Sequence, residues 1–260
     1  MNKIQNRYYS QLFWKFAQTE DSLHPSYITY TNRMMLGTLY YKGIAGIDSV
    51  QEMIKQFNDK MIFKNLSVFI GKKSREYVPH HVTEHKYLER LNPEEPEKIK
   101  QDLVYHLIWR RCFEDARYKK KWLVIIDETQ LYCGQRNLNE QCLERCCNKG
   151  TDKAITLYHR DVLKPKIYLG EKLLASVGSE FIENNGEDRK RQGKMSEEEI
   201  KQDCERKAFI RLAERIKKRF PRLPILLLAD SLYASKPVMD LCREYKWKFL
   251  IRYKKGVFHA

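Results

Sequence analysis

Two periods of hydrophobic residues divide the chain. From Tyr27 to Asn58 apolar residues such as Met34, Met35, Leu39 and Tyr40 recur at three- and four-residue spacings, which predicts helix, and Lys42-Gly43 interrupts the run. Asp48 is placed to cap a second helix, so a helical hairpin with a short glycine-containing turn is expected. The stretch Leu91 to Pro96 (LNPEEP) reads as a boundary because of its two prolines. It is followed by a basic helix over Glu97 to Arg117 with Ile99, Leu103, Leu107 and Ile108 on its apolar side.

After that helix the pattern changes. Trp122-Leu123-Val124-Ile125-Ile126 is a continuous apolar run, as a strand buried on both faces requires, and it ends in Asp127. Val162 to Leu169 and Leu173 to Ile182 read as two more strands around Gly170-Glu171, so the first three strands should form an antiparallel meander. A polar stretch, Asn184 to Lys194, leads into a helix that Ser196 and Glu199 can cap. Ile200, Cys204, Ala208, Leu212 and Ile216 form its apolar stripe. Ile225-Leu226-Leu227-Leu228-Ala229 is a second fully buried strand that closes on an aspartate, Asp230. A short helix capped by Ser235, with Pro237 in its first turn, precedes a fifth strand over Trp247 to Lys254, with Phe249, Ile251 and Tyr253 on one face. The order is βββαβαβ, a mixed α/β fold with five strands flanked by helices. The expected division is a helical, basic region over residues 1–95 and a mixed-sheet core over 96–260.

Composition narrows the classes. No apolar run approaches the ~20 residues of a membrane span, and seven cysteines scattered from Cys112 to Cys242 fit a reduced, cytoplasmic protein better than a secreted one. A net charge of +15, from 49 Lys and Arg against 34 Asp and Glu, calls for a polyanionic partner. With 12% aromatic residues interleaved among the basic ones, nucleic acid suits that charge. In that light the N-terminal hairpin has the outline of a helix-turn-helix, though any helical hairpin shares it.

Ending a buried strand in a carboxylate is costly unless something compensates it. The chain does so twice. In a βββαβαβ sheet the first and fourth strands are parallel neighbours, so Asp127 and Asp230 should meet at one edge and repel unless a divalent cation lies between them. Alternation along the strand places Thr129 on the face of Asp127 and turns Glu128 away.

The segments WLVIIDETQLY (Trp122 to Tyr132) and ILLLADSLYASKPVMDLCREYKWKFLIRYKKG (Ile225 to Gly256) resemble the first- and second-aspartate blocks of bacterial insertion-sequence transposases of the DDE superfamily. With the order of elements between them, the resemblance runs from Trp122 to the C-terminus. It implies an RNase-H-like core, Asp127 and Asp230 as catalytic, metal-binding carboxylates, and Mg²⁺ or Mn²⁺ as cofactor. It further implies double-stranded DNA at element ends as substrate for cleavage and strand transfer, with a homodimer on that DNA. Family members carry a third acid, usually Glu, on a helix after the fifth strand. No such helix follows Phe258, so the third carboxylate is unassigned and an incomplete C-terminal part is expected. Tyr87, Arg90 and Glu94 match part of the family's Glu motif but precede Asp127, and Gln101 stands where its Lys should be.

Arg252, Lys254 and Lys255, beyond the second aspartate, are placed to meet phosphates, whereas Lys119, Lys120 and Lys121 enter the first strand from its opposite end and would serve flanking DNA. Cys133, Cys142, Cys146 and Cys147 with His159 lack the paired spacing of a structural zinc site and read as free thiols in a connecting segment. His80, His81 and His85 lie in a basic, solvated stretch. Two alternatives to a transposase remain at this level: a non-catalytic DNA-binding remnant, and a stand-alone RNase-H-like nuclease.

Overall fold

The computed structural model describes residues 9–20, 27–71, 77–183 and 204–252. The chain divides into two compact units, Met1–His106 and Leu107–Ala260.

The first unit is helical: α1 (Leu12–Gln18), α2 (Asn32–Ile44), α3 (Val50–Phe57), α4 (Lys60–Ile70), α5 (His81–Arg90) and most of α6 (Glu94–Trp109). Phe13, Met34, Met35, Met53, Phe57, Leu66, Ile70 and Tyr87 form its core. Gly37 lets α2 approach its neighbours, because a Cβ there would stand 2.8 Å from Ile70 Cγ2 and 3.1 Å from Phe13 Cε1. The hairpin cap differs from expectation by one residue: Ser49, not Asp48, accepts the Glu52 N–H at 3.0 Å. The proline-rich stretch starts α6 instead of preceding it, since Pro96 falls in the first turn, where a missing N–H costs nothing. That helix stops at Trp109, well before Arg117. Arg111 turns left-handed at φ +56°, and the Cys112 N–H closes back on the Leu107 carbonyl at 3.1 Å. His80 caps α5 by accepting the Val82 N–H.

Within this unit Glu84 is wholly buried and neither carboxyl oxygen has a hydrogen bond. Burial pushes its carboxyl from the ordinary 4.5 up to about 8.

The second unit is built on one sheet: β1 (Trp122–Gly134), β2 (Leu143–Cys147), β3 (Ile155–Tyr168), β4 (Leu174–Ser176), β5 (Glu180–Ile182), β6 (Ile225–Ala229) and β7 (Lys248–Ile251). The order is β2-β3-β1-β6-β7, with β4 and β5 also pairing with β3. β1 runs antiparallel to β3 and parallel to β6, and β6 runs parallel to β7. Taking β4 and β5 together as one interrupted strand, this is the RNase-H-like arrangement, and the expected meander is present.

Three details depart from the expected elements. β1 does not end at Asp127 but continues seven residues to Gly134 alongside β3, with a bulge between Gln130 and Tyr132. The third strand is broken in two. The cysteine-bearing segment read as a connection supplies β2, whose short, mostly exposed sequence LERCC carries no alternation to announce it.

α7 (Glu205–Arg219) and α8 (Lys236–Glu244) complete the unit. Ala208, Phe209, Leu212, Ala213 and Ile216 of α7 are buried, the larger side chains contributing about 1.5–3 kcal/mol each. Arg211 and Arg215 both reach the Glu180 carboxylate at 2.5 Å, tying α7 to β5. Glu180 pairs with Leu163, and Leu163 with Glu128, so α7 covers the sheet face that carries Glu128. In α8, Pro237 occupies the first turn as expected, while Ser235 is the N-cap residue but forms no side-chain cap bond. The expected insertion Asn184 to Lys194, the capping residues Ser196 and Glu199, Ile200, Tyr253, Lys254 and Lys255 lie outside the described residues.

Candidate functional site

Strand register sets the two aspartates level. Ile125 pairs with Leu228 in the parallel β1/β6 ladder, and two further residues on each strand bring Asp127 opposite Asp230. Neighbouring strands stand about 4.8 Å apart, so the two residues lie side by side at one edge of the sheet, both exposed. β6 ends there, while β1 continues past it as part of a ribbon with β3. Asp127 and Thr129 share a face and Glu128 takes the other, the buried one, as strand alternation requires.

Asp230 also shapes the chain that follows it. Its carboxylate accepts the Leu232 N–H at 2.8 Å and caps the short turn Ser231–Tyr233. Beside it, the Arg252 N–H donates to the Ala229 carbonyl at 3.1 Å, continuing the β6/β7 ladder by one step. Asp127, Asp230 and Arg252 therefore follow one another across three parallel strands. Lys119 and Lys120 sit at the opposite end of β1, in a tight turn with φ +46° and +63°, closed by reciprocal hydrogen bonds of 2.9 Å between Tyr118 and Lys121. They are thus remote from the aspartate edge along the strand.

A residue that the sequence pattern gave no reason to single out lies near enough to feel the charge of both aspartates. Glu205 opens α7, and its carboxyl is raised above the ordinary carboxylate range first by burial and then by the negative charges of Asp230 and Asp127, with Tyr233 opposing. Tyr233, 2% exposed, has its hydroxyl held protonated by burial and by the Glu205 carboxylate, with Asp230 and Asp127 adding smaller effects. That hydroxyl faces Glu205 without completing a hydrogen bond of full geometry. Among the described residues no three His, Cys, Asp or Glu side chains are grouped closely enough to hold a metal ion between them. A magnesium-like ion is commonly held by one or two carboxylates together with water and substrate phosphate, and the donors at this edge are all oxygen, which suits such a hard cation.

On the α7 face of the sheet lies a cavity of about 320 Å³, with Glu128, His159, Asp161, Cys204, Glu205 and Leu232 in its lining. His159 Nδ1 and Asp161 Oδ2 are 2.5 Å apart and buried, and Asp161 Oδ1 has no hydrogen bond. The sequence pattern gives no sign of this pair, because the strand expected there begins only at Val162. His159 faces Cys133 and Leu143 in the sheet, and all seven cysteines, including those of β2, are free thiols.

Comparison with known proteins finds that residues 201–257 match the model of the transposase DDE domain family. The matched segment contains Glu205, Asp230 and Arg252; Asp127 lies outside it. This match supports a DDE transposase. No curated protein sequence matches. The crystal structure of the Mos1 mariner paired end complex with Mn aligns with 96% of this chain and 67% of that one, at 13% identity and a TM-score of 0.25, which is too low to carry an argument. No helix among the described residues is long and apolar enough to cross a membrane.

Proposed function

We propose that this chain, related through its C-terminal part to the DDE transposases, performs metal-dependent cleavage and strand transfer on double-stranded DNA at the ends of an insertion sequence. Asp127 and Asp230 hold Mg²⁺ or Mn²⁺ in this reading. The observation that carries it is their level placement on neighbouring parallel strands at an exposed edge. A divalent ion at such an edge supplies a Lewis acid that activates an attacking hydroxyl and stabilises the leaving oxygen at phosphorus. The residues themselves position and recognise. Asp230 is anchored by the Leu232 N–H, which fixes one carboxylate oxygen and leaves the other for the cation. Arg252, one strand further, neutralises a phosphate, and Lys254 and Lys255 extend that contact along the backbone. Lys119, Lys120 and Lys121, at the other end of β1, bind flanking DNA.

The net charge of +15 supports a DNA partner, and the helical, basic region expected over residues 1–95 is the proposed region of element-end recognition. Pairing of two element ends calls for a homodimer on the DNA. The proposed location is cytoplasmic.

Calorimetric titration with Mn²⁺ tests the site, and magnesium-dependent nicking of a duplex carrying the element end tests the chemistry. Asp127→Asn and Asp230→Asn should each abolish the bound ion. Mn²⁺ binding that survives both substitutions together would overturn the proposal.

A further inference from the structure

We infer that Lys164, on β3, is a further substrate-binding residue of the Asp127 and Asp230 edge, and that its ammonium holds a non-bridging oxygen of the DNA phosphate that reacts there. This role rests on the metal and DNA reading of that edge and adds a residue to it.

Strand register puts Lys164 there. In the antiparallel β1/β3 ladder Asp127 pairs with Lys164, and directly opposed residues share a face of the sheet, with Cβ atoms about 4.5–5.5 Å apart. Burial alternates accordingly. Leu163, Pro165 and Ile167 of β3 are buried on the side that α7 covers, while Lys164, Lys166 and Tyr168 are half-buried on the other. β1 divides in the same way, with Trp122, Val124 and Ile126 buried and Leu123, Ile125 and Asp127 more open. Lys164 therefore stands beside Asp127 on the more open face. Four charged residues then follow one another across four strands: Lys164 on β3, Asp127 on β1, Asp230 at the end of β6 and Arg252 at the end of β7. A basic residue flanks the acidic pair on each side.

Lys164 is not committed to its acidic neighbour. Among the described residues it forms no hydrogen bond and no ion pair, although Asp127 lies directly across the ladder. Its stem is three carbons longer than that of Asp127, which carries the ammonium out past the carboxylate. An ammonium left unpaired on a half-buried side chain is available to an incoming anion, and a charge-assisted bond to a phosphate oxygen is among the stronger hydrogen bonds. A fixed positive charge gains most where negative charge grows during the reaction, as it does on the oxygens of a phosphate under attack. Lys166, two residues along the same face and opposite Ile125, lies one row back from the acidic edge and provides an internal comparison of equal charge.

Nicking of supercoiled plasmid DNA by the full chain with Mn²⁺ tests this role in the wild type, Lys164→Met, Lys164→Arg and Lys166→Met, alongside calorimetric Mn²⁺ affinity without DNA. Methionine keeps the apolar stem and removes the charge. Lys164→Met is expected to lower kcat by roughly ten-fold or more, as loss of one charge-stabilising donor does, with Lys164→Arg restoring part of it and Lys166→Met changing it far less. The Mn²⁺ affinity of Lys164→Met should equal or exceed that of the wild type, because removing a neighbouring positive charge does not weaken a cation site. Wild-type kcat in Lys164→Met, or an equal loss in Lys166→Met, would overturn the role of Lys164 and leave the two-aspartate site standing. Weaker Mn²⁺ binding in Lys164→Met would mean that the lysine shapes the carboxylate instead of meeting the phosphate, and would overturn the role as well. A wild type that binds no Mn²⁺ or does not nick the plasmid would overturn the reading of the edge itself, and the role of Lys164 with it. If Lys164→Met fails to fold, Lys164→Gln decides by the same outcomes.

Discussion

Glu84 makes the stability of the helical unit depend on pH in a direction that can be worked out. It lies on α5 with no exposed surface and no hydrogen bond to either oxygen, and burial raises its carboxyl from 4.5 to about 8. Below pH 4.5 the group is protonated in both folded and unfolded chains and its ionisation adds no pH-dependent cost. Between 4.5 and about 8 the unfolded chain ionises it while the folded chain does not, so stability falls as pH rises through that window. At 1.36 kcal/mol per unit the full difference is about 5 kcal/mol, an upper bound because native relaxation and water entry reduce it. Glu84→Gln removes the ionisation while keeping the shape. Urea unfolding followed by far-ultraviolet circular dichroism at pH 5, 6.5 and 8 should show the variant gaining on the wild type by up to about 1.4 kcal/mol per pH unit. A stability difference that stays constant from pH 5 to pH 8 would refute the reasoning and mean that Glu84 is ionised in the fold.

Other substitutions read other parts of the molecule. Gly37→Ala should destabilise the helical unit by about 1–3 kcal/mol in chemical unfolding, because the added Cβ meets Ile70 at 2.8 Å; an unchanged midpoint would show that α2 and α4 can separate freely. Asp230→Ala should lose the cap on Leu232 and cost about 1 kcal/mol, whereas Asp230→Asn keeps an acceptor there and should lose metal binding at little cost in stability. Arg252→Ala should weaken duplex binding equally for all sequences and reduce the salt dependence by about one counterion, as measured by fluorescence anisotropy over a salt series. The Lys119, Lys120 and Lys121 triple Ala variant should weaken binding of long duplexes more than short end fragments, because its turn stands at the far end of β1.

What the sequence alone could decide were the features written in contiguous residues. A strand covered on both sides must be apolar at every position, so Trp122 to Ile126 and Ile225 to Ala229 announced themselves, and the aspartate after each stood out against that background. Meander, crossover helix and parallel return followed from the order of such segments, and α7 from the spacing of Ala208, Leu212 and Ile216. Features that depend on partners far along the chain were out of reach. The passage of β1 beyond Asp127 and the existence of β2 are set by pairing with the first half of β3, whose exposed residues carry no alternating signal. Glu205 is one acid at the end of a stretch rich in them, and only the packing of α7 over the sheet separates it from its neighbours. The isolation of Glu84 and the contact between His159 and Asp161 likewise arise from burial. Burial is a property of where distant segments come together, and local hydrophobic periodicity does not encode it.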